Sequence, residues 1–185
     1  MLGLLVIDMQ RGLFEGSQPR HDREGVVRRI NALANAVRSA NGMVLFIQHA
    51  GPQGDDFEPG TPGWQLLPDL ERSDLDPVVA KRACDSFYES ELEGALASRS
   101  IDELWITGCA TDFCVDTTLR AAASRNYRVT AVEDGHTTAD RPHLDAASVI
   151  RHHNWVWADL ILPRCEVQVR TARALLLELT AEATP

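Results

Sequence analysis

Short apolar runs rich in β-branched residues alternate along this chain with segments whose apolar residues recur every three to four positions. A continuous apolar run is typical of a strand that is buried on both faces of a parallel sheet. The runs predict strands at 4–7, 43–47, 78–80, 104–107 and 127–132, with a short edge strand near 155–157. The helical spacing predicts helices at 26–37, 89–99, 114–125, 144–153 and 169–181.

Strands that alternate with helices in this way indicate an α/β fold. We predict a three-layer αβα sandwich around a mostly parallel sheet of roughly six strands. The segment 51–77 interrupts the alternation, because it is rich in Gly, Pro and Asp and has only a short apolar stretch at 64–67. We interpret it as a functional loop. No repeat or shift in composition divides the chain, so we expect one domain over 1–185.

The composition is that of an ordinary globular protein, with 44% apolar residues, 24% charged residues and a net charge of −9. Nucleic acids and anionic membranes attract basic surfaces, so this acidic balance argues against both as partners. The apolar run at 2–7 is too short to span a membrane and has no basic leader. We therefore expect a cytoplasmic protein.

The four cysteines are too sparse for a disulfide framework in a chain of 185 residues. We interpret three of them as reduced, buried small side chains, namely Cys84, Cys109 and Cys165. The chain contains no C-x-x-C pair, which leaves little support for a zinc site. We expect neither a metal ion nor another cofactor.

Cys114 differs from the other cysteines in its position. The segment 108–115 follows a predicted strand and leads into a predicted helix, where free backbone N–H groups and the helix dipole favour a thiolate. Three more reactive side chains, Asp8, His49 and Lys81, come at or just after the ends of other predicted strands. Ligands of parallel α/β sheets bind beyond the carboxyl ends of the strands, so we expect all four groups at one edge.

This set of groups meets the needs of acyl transfer from an amide. Cys114 can attack the carbonyl, Asp8 can take the thiol proton, and Lys81 can hold down the pKa of the thiol and orient Asp8. The backbone N–H groups of Ala110 and Cys114 can face the oxyanion. Simpler roles stay open for each side chain: a turn residue for Asp8, a solvated surface residue for Lys81 and a buried apolar residue for Cys114.

The chain resembles the cysteine hydrolases of the isochorismatase-like superfamily, which includes nicotinamidases, N-carbamoylsarcosine amidases, and ureidoacrylate and biuret amidohydrolases. The landmarks, spread over nearly the whole chain, are LVIDMQ at 5–10, IQH at 47–49, VAK at 79–81 with SF at 86–87, G-x-x-T-x-x-C-V at 108–115 and VEDG at 132–135. The overall pattern looks closest to the members that include streptothricin-hydrolase-like proteins.

The resemblance implies a catalytic triad of Asp8, Lys81 and Cys114, with the oxyanion bound by the N–H groups of Ala110 and Cys114. It also implies a cis peptide bond between Cys109 and Ala110. Members of this superfamily are commonly dimers or tetramers, so the resemblance further implies a homo-oligomer.

Two departures from the superfamily narrow the implied activity. Metal-binding nicotinamidases carry D-x-H after the second strand and histidines in the following loop, whereas this chain has QHA at 48–50 and no histidine in 51–77. True isochorismatases usually lack the nucleophilic cysteine, so Cys114 favours an amidase. We expect a metal-independent hydrolase that cleaves a carboxamide or ureide C–N bond of a small molecule through an acyl-enzyme at Cys114. An isochorismatase-type vinyl ether hydrolase and a non-catalytic member of the fold are the alternatives.

Residues near the triad positions or in the long loop are candidates for the substrate pocket. They are Leu13, Phe14, His49, Trp64, Tyr88 and Phe113. Core packing is the alternative for the aromatic members of this set. Two polar side chains, Gln10 and Gln48, are expected either to bind a polar substrate or to satisfy the backbone of the turns.

Overall fold

Six parallel strands form the central sheet, in the order β3-β2-β1-β4-β5-β6. The computed structural model describes residues 1–16, 18–164 and 166–182. The strands are β1 (Leu2–Ile7), β2 (Met43–His49), β3 (Val78–Lys81), β4 (Glu103–Cys109), β5 (Arg128–Thr137) and β6 (Val167–Arg170). The predicted fold class is confirmed.

Helices cover both faces of the sheet. They are α1 (Arg11–Phe14), α2 (Arg23–Ser39), α3 (Leu92–Ser98), α4 (Asp116–Ser124), α5 (Ala146–Ala158) and α6 (Ala172–Glu182). Alternate strand residues face opposite layers: Leu5 and Ile7 pack in the core with α3, α4 and α5, whereas Leu4 and Val6 pack with α2 and α6. Because both faces are covered, the inner strands β1, β2 and β4 contain continuous apolar runs. Within the described residues, no helix has both the length and the apolar composition needed to cross a bilayer.

The edge strand predicted at 155–157 is wrong. These residues lie in α5, where Trp155 is 65% exposed and Trp157 is fully buried. The edge of the sheet is β6 instead, at the start of the segment predicted as helix 169–181. A three-residue apolar run fits a helix or a strand, and only packing against the neighbouring elements decided between them. β5 also continues past its predicted end at 132, to Thr137. Its pairing with β4 shifts register between Ile106 and Gly108.

The order of the strands fixes where a ligand can bind. From β1 the chain builds the sheet toward β2 and β3, and from β4 it builds in the opposite direction toward β5 and β6. Such a reversal opens a crevice at the carboxyl ends of the two central strands. Asp8 directly follows β1, and Ala110 directly follows β4. The fold therefore places Asp8 and the segment that leads to Cys114 beside this crevice.

Gly108 is expected to be indispensable, because it lies where β4 comes closest to β1. Its φ is +122°, and a Cβ atom there would lie 2.1 Å from the carbonyl oxygen of Ile7. Both the backbone conformation and the contact exclude a side chain. We expect Gly108→Ala to lower the free energy of unfolding by at least about 4 kcal/mol, as measured by urea denaturation.

The matched control is Gly94→Ala in α3, where no atom lies within 4 Å of the added Cβ. This substitution is expected to raise stability by about 0.5–1 kcal/mol, because alanine favours the helix. Equal effects of the two substitutions would contradict the role given to Gly108.

Candidate active site

The ammonium group of Lys81 joins the two other residues of the expected triad. Its Nζ lies 2.7 Å from Oδ2 of Asp8 and 3.2 Å from Sγ of Cys114, and it also donates to the carbonyl oxygen of Ala83 at 2.9 Å. Lys81 and Asp8 are both buried. A buried ion pair is favourable only when its geometry is good and further hydrogen bonds support it. Here the bond from Nζ to Ala83 supports the Lys81 side of the pair. The structure thus brings Asp8, Lys81 and Cys114 into one contact group.

The two carboxylate oxygens of Asp8 differ in their surroundings. Oδ2 accepts from Lys81, whereas Oδ1 is buried and has no hydrogen-bond partner among the described residues. The backbone of Asp8 turns sharply after β1, with φ +47°, and its N–H donates to the carbonyl oxygen of Ile47 at 2.9 Å. One oxygen is thereby fixed in the ion pair while the other stays available to accept a proton.

Burial raises the pKa of the Cys114 thiol, and the negative charge of Asp8 raises it further, against the opposing effect of Lys81. The expected thiolate is therefore not the resting form of this site. Burial lowers the pKa of Lys81, but Asp8 and Cys114 outweigh burial, so the net shift is upward and the ammonium is retained. These directions describe a neutral thiol beside an Asp–Lys ion pair.

Cys114 lies in a π-helical turn, Thr111–Val115, directly before α4. The peptide bond between Cys109 and Ala110 is cis. The carbonyl oxygen of Ala110 accepts from the N–H groups of Phe113 and Val115 at 3.0 and 3.2 Å. These bonds hold the turn that carries the cysteine at the carboxyl end of β4.

His136, near the end of β5, is hydrogen-bonded to this turn. Its Nδ1 lies 2.8 Å from Oγ1 of Thr111, and its Nε2 lies 2.9 Å from Oδ1 of Asn154. The amide nitrogen of Asn154 donates to the carbonyl oxygen of Glu133, which leaves Oδ1 to accept from the histidine. His136 is therefore assigned as neutral with its proton on Nε2, and its Nδ1 accepts from the Thr111 hydroxyl.

We expect the stability of the protein to fall between pH 6.5 and pH 4 because of His136. Burial lowers the pKa of His136 to about 4, whereas an unfolded histidine titrates near pH 6.5. Below about pH 6.5 the unfolded chain binds a proton that the folded chain excludes, so the free energy of unfolding falls by about 3 kcal/mol as pH drops to about 4. Above that range the group has no effect. Urea denaturation across this range measures the loss.

His136→Gln is expected to remove this part of the pH dependence, because glutamine does not titrate. His143→Gln is the matched control, since it makes the same substitution at an exposed position. If the wild type and His136→Gln lose the same stability between pH 6.5 and 4, the account of His136 is wrong.

A cavity of about 530 Å³ opens onto the triad, with Asp8, Ala110 and Cys114 on its wall. Of the candidate pocket residues, Leu13, His49 and Phe113 line it. The His49 ring packs edge to face against Phe57, with the ring centres 5.9 Å apart. Burial and the charge of Lys81 both lower the pKa of His49, which keeps its imidazole neutral.

The other three candidates lie elsewhere in the described structure. Phe14 packs against the core beside α2. Tyr88, which is 57% exposed, lines a smaller cavity of about 160 Å³ that shares Arg82 and Ala83 with the main one. Trp64 contributes its carbonyl oxygen to the hydrogen bonding of the long loop rather than a ring to the cavity wall. Nearness in sequence to a triad residue does not fix the direction of a side chain, which is why these three side chains do not line this cavity.

The amides of Gln10 and Gln48 satisfy backbone groups. Gln10 donates to the carbonyl oxygens of His49 and Trp64 at 2.9 and 2.8 Å, and its Oε1 accepts from the N–H of His49. Gln48 donates to the carbonyl oxygen of Trp64 at 2.7 Å. The two side chains therefore tie the long loop to the ends of β1 and β2.

The sequence did not reveal several residues of the cavity wall: Arg20, Asp55, Phe57, Arg82, Cys84 and Arg141. They come from loops after β1, β2, β3 and β5, so no short segment of sequence groups them. Cys84, predicted to be buried, is exposed on this wall, whereas Cys109 is buried as predicted. The third cysteine of that prediction, Cys165, lies outside the described residues. Within those residues, no cluster of three or more histidine, cysteine or acidic side chains could hold a metal ion.

Fold and site together define a class of three-layer α/β proteins with Asp, Lys and Cys at the carboxyl edge of the sheet. Residues 3–156 match the family model of the isochorismatase domain. The chain belongs to the isochorismatase family, which confirms the resemblance drawn from the sequence.

Two of the similar proteins are named as hydrolases. The chain is 33% identical over 139 residues to a streptothricin hydrolase from Streptomyces noursei, covering 75% of this chain and 55% of that protein. It is 26% identical over 140 residues to a ureidoacrylate amidohydrolase from Variovorax paradoxus, covering 60% of this chain and 56% of that protein. The chain thus spans about half the length of the curated relatives it matches.

A solved structure shares the fold over almost its whole length. A cysteine hydrolase from Pseudomonas syringae pv. phaseolicola superposes with a TM-score of 0.88 at 23% identity, covering 97% of this chain and 92% of that one. At this level of identity the likeness shows the common fold alone.

Proposed function

We propose that this protein hydrolyses a carboxamide or ureide C–N bond of a small molecule, with Cys114 as the nucleophile and without a metal ion. The observation that carries the proposal is the position of Lys81, whose Nζ contacts Asp8 at 2.7 Å and Cys114 at 3.2 Å beside an open cavity. The relatives named as a ureidoacrylate amidohydrolase and a streptothricin hydrolase support the class of reaction.

In the first half-reaction the thiol proton of Cys114 passes to Asp8 as the sulfur attacks the substrate carbonyl. Oδ1 is the acceptor that the site leaves free for this proton. Lys81 stays protonated, and its charge favours the thiolate as it forms. The carbonyl oxygen becomes an oxyanion, for which the N–H groups of Ala110 and Cys114 are the proposed donors. Asp8 then gives the proton to the leaving nitrogen, the C–N bond breaks, and ammonia or an amine departs.

In the second half-reaction water attacks the acyl-enzyme, and Asp8 takes a proton from that water. The C–S bond breaks, the proton returns to the sulfur, and a carboxylic or carbamic acid is released. The raised pKa of the Cys114 thiol suits this step, because the sulfur regains its proton once the acyl group has left. The ion pair between Asp8 and Lys81 is restored unchanged.

A panel of small primary amides and ureides tests the proposal by release of ammonia. The protein is dialysed against a chelator, and each reaction is also quenched and examined by intact-protein mass spectrometry. We expect ammonia from at least one member and an acyl adduct on the peptide that contains Cys114. Ammonia release without an adduct on that peptide would argue against the acyl-enzyme. Activity that is lost on dialysis and restored by a metal ion would argue against the metal-free reaction.

A further inference from the structure

We propose that Thr118, paired with Ser86 in the interior, is a positioning residue that holds the Lys81 ammonium against Cys114. Thr118 does not line the cavity, and it acts through the segment of chain that follows Lys81. This inference deepens the proposed function and rests on it for the activity measurement, whereas the thiol measurement needs no substrate.

Two buried hydroxyl groups meet between α4 and the segment after β3. Oγ of Ser86 lies 2.8 Å from Oγ1 of Thr118, the N–H of Ser86 donates to Oγ1 at 3.1 Å, and Oγ1 donates to the carbonyl oxygen of Cys84 at 3.3 Å. Thr118 has one hydroxyl proton and gives it to Cys84, so the Ser86 hydroxyl is assigned as the donor within the pair. Both side chains are fully buried, and both hydroxyl groups are satisfied, as buried polar groups generally are.

This network fixes the chain beside Lys81. Cys84 directly follows Ala83, whose carbonyl oxygen accepts from Nζ of Lys81 at 2.9 Å. An ammonium group has three N–H donors, and the other two acceptors are Asp8 at 2.7 Å and Cys114 at 3.2 Å. A shift of the Ala83 carbonyl therefore changes the direction in which the other two N–H groups point.

The network is also tied to the helix that carries the nucleophile. Thr118 lies in α4, four residues after Cys114, so the two residues are neighbours one turn apart on continuous helical structure. The preceding residue, Thr117, bonds back to the carbonyl oxygen of Phe113 at 2.7 Å, as a helical threonine often does. Thr118 instead bonds across to another segment. It thereby places the Ala83 carbonyl and the Cys114 sulfur in one frame.

Phe87 docks the same segment on α4 at a second point. Its ring belongs to the buried cluster that contains Val115, and the guanidinium of Arg125, at the end of α4, lies 4.6 Å from the ring centre. Ser86 and Phe87 form one of the sequence landmarks, and the triad itself gives them no role. The contacts with α4 supply one, because they hold the segment that carries the third acceptor of Lys81.

The position of Lys81 matters to the reaction that we propose. Its charge opposes burial and the charge of Asp8, which raise the pKa of the Cys114 thiol. Misplacement of a catalytic group by about 1 Å can lower a rate by about 100-fold. A network that fixes the acceptors of Lys81 relative to one another therefore supports the ionisation of the thiol during attack.

The first test follows alkylation of Cys114 by iodoacetamide at about pH 8, with peptide mapping to separate it from Cys84. Thr118→Val keeps the shape of the side chain but not its hydroxyl, and we expect it to slow alkylation of Cys114 by about 10-fold, because Lys81 no longer favours the thiolate. Thr118→Ser keeps the hydroxyl and is expected to retain most of the rate. Ser86→Ala removes one hydroxyl and should give a smaller loss. It keeps the test decisive if Thr118→Val does not fold.

The same substitutions in the Asp8→Asn/Lys81→Met background separate positioning from a general loosening of the fold. If Thr118 acts through Lys81, neither Thr118→Val nor Ser86→Ala has a further effect on alkylation in that background. An unchanged rate in both variants of the wild type, or the same loss in both backgrounds, would overturn the inference.

Thr107→Val is the matched control. Thr107 is a buried threonine of β4 whose hydroxyl donates to the carbonyl oxygen of Leu5 at 2.7 Å. The substitution removes a buried hydrogen bond of the same kind without touching the segment after β3. We expect it to leave the alkylation rate of Cys114 unchanged, and a loss equal to that of Thr118→Val would count against the positioning role.

The outcome is separable from that of the proposed function. On an amide that the wild type hydrolyses, Thr118→Val should lower kcat by about 10- to 100-fold with KM within about twofold. If alkylation responds as expected but the wild type releases no ammonia from any amide, the positioning role stands and the amidase proposal falls. If amides are hydrolysed and Thr118→Val keeps both kcat and the alkylation rate, the reverse holds.

Discussion

Cys114→Ala is expected to abolish amide hydrolysis, with kcat/KM falling by at least about 10⁴-fold. Without the sulfur no acyl-enzyme forms, and neither Asp8 nor Lys81 can replace it as a nucleophile. Because the change removes one atom from a half-buried side chain, stability should shift by no more than about 1 kcal/mol. Ammonia release measures the activity, and thermal denaturation confirms that the variant is folded.

Cys114→Ser provides a second, nearly isosteric variant. The serine hydroxyl has a much higher pKa than a thiol, so we expect activity close to that of Cys114→Ala. A variant at position 114 that keeps the hydrolysis of a vinyl ether such as isochorismate would instead identify an ether hydrolase, in which Asp8 protonates the substrate and the cysteine takes no part.

Loss of one partner of the Asp8–Lys81 ion pair should lower both stability and activity strongly. Lys81→Met leaves the carboxylate of Asp8, which is 2% exposed, without its cation. An uncompensated buried charge costs about 3–5 kcal/mol. Activity should also disappear, because Lys81 no longer orients Asp8 or stabilises the thiolate.

The double variant Asp8→Asn/Lys81→Met separates stability from catalysis. It removes both charges while it keeps side chains of similar size, so we expect stability to return to within about 2 kcal/mol of the wild type. Activity should stay undetectable, because no proton acceptor remains. Urea denaturation and ammonia release on the wild type, Asp8→Asn, Lys81→Met and the double variant complete the cycle. Additive losses of stability in the double variant would show that the two groups are not coupled.

Most of the sheet could be predicted from the sequence for a definite physical reason. Strands buried on both faces are mostly apolar, and the inner strands β1, β2 and β4 contain continuous apolar runs. The segment 127–132 and the edge strand β3 were also predicted, although β3 alternates between exposed and buried residues. β6 lies at the edge of the sheet, where only Val167 is buried, and its residues resemble the start of a helix. Such short edge strands depend on their neighbours more than on their own residues.

The reactive residues could be predicted for a similar reason. Parallel strands end at the same edge, so polar residues at strand ends, such as Asp8, Lys81 and Cys114, converge whatever the detailed packing. The wall of the cavity could not be predicted in this way. Arg20 reaches it only because the chain at His21 is bonded to the end of β5, more than a hundred residues away in sequence.

The sequence by itself determined the alternation of strands and helices, the fold class and the reactive side chains at the strand ends. These depend on local apolar patterns and on the geometry common to parallel sheets. The tertiary structure alone decided the strand order that opens the crevice between β1 and β4, the residues of the cavity wall and the direction in which the pKa of Cys114 shifts. The cost of a buried charge depends on every group packed around it, and those groups come from distant parts of the chain.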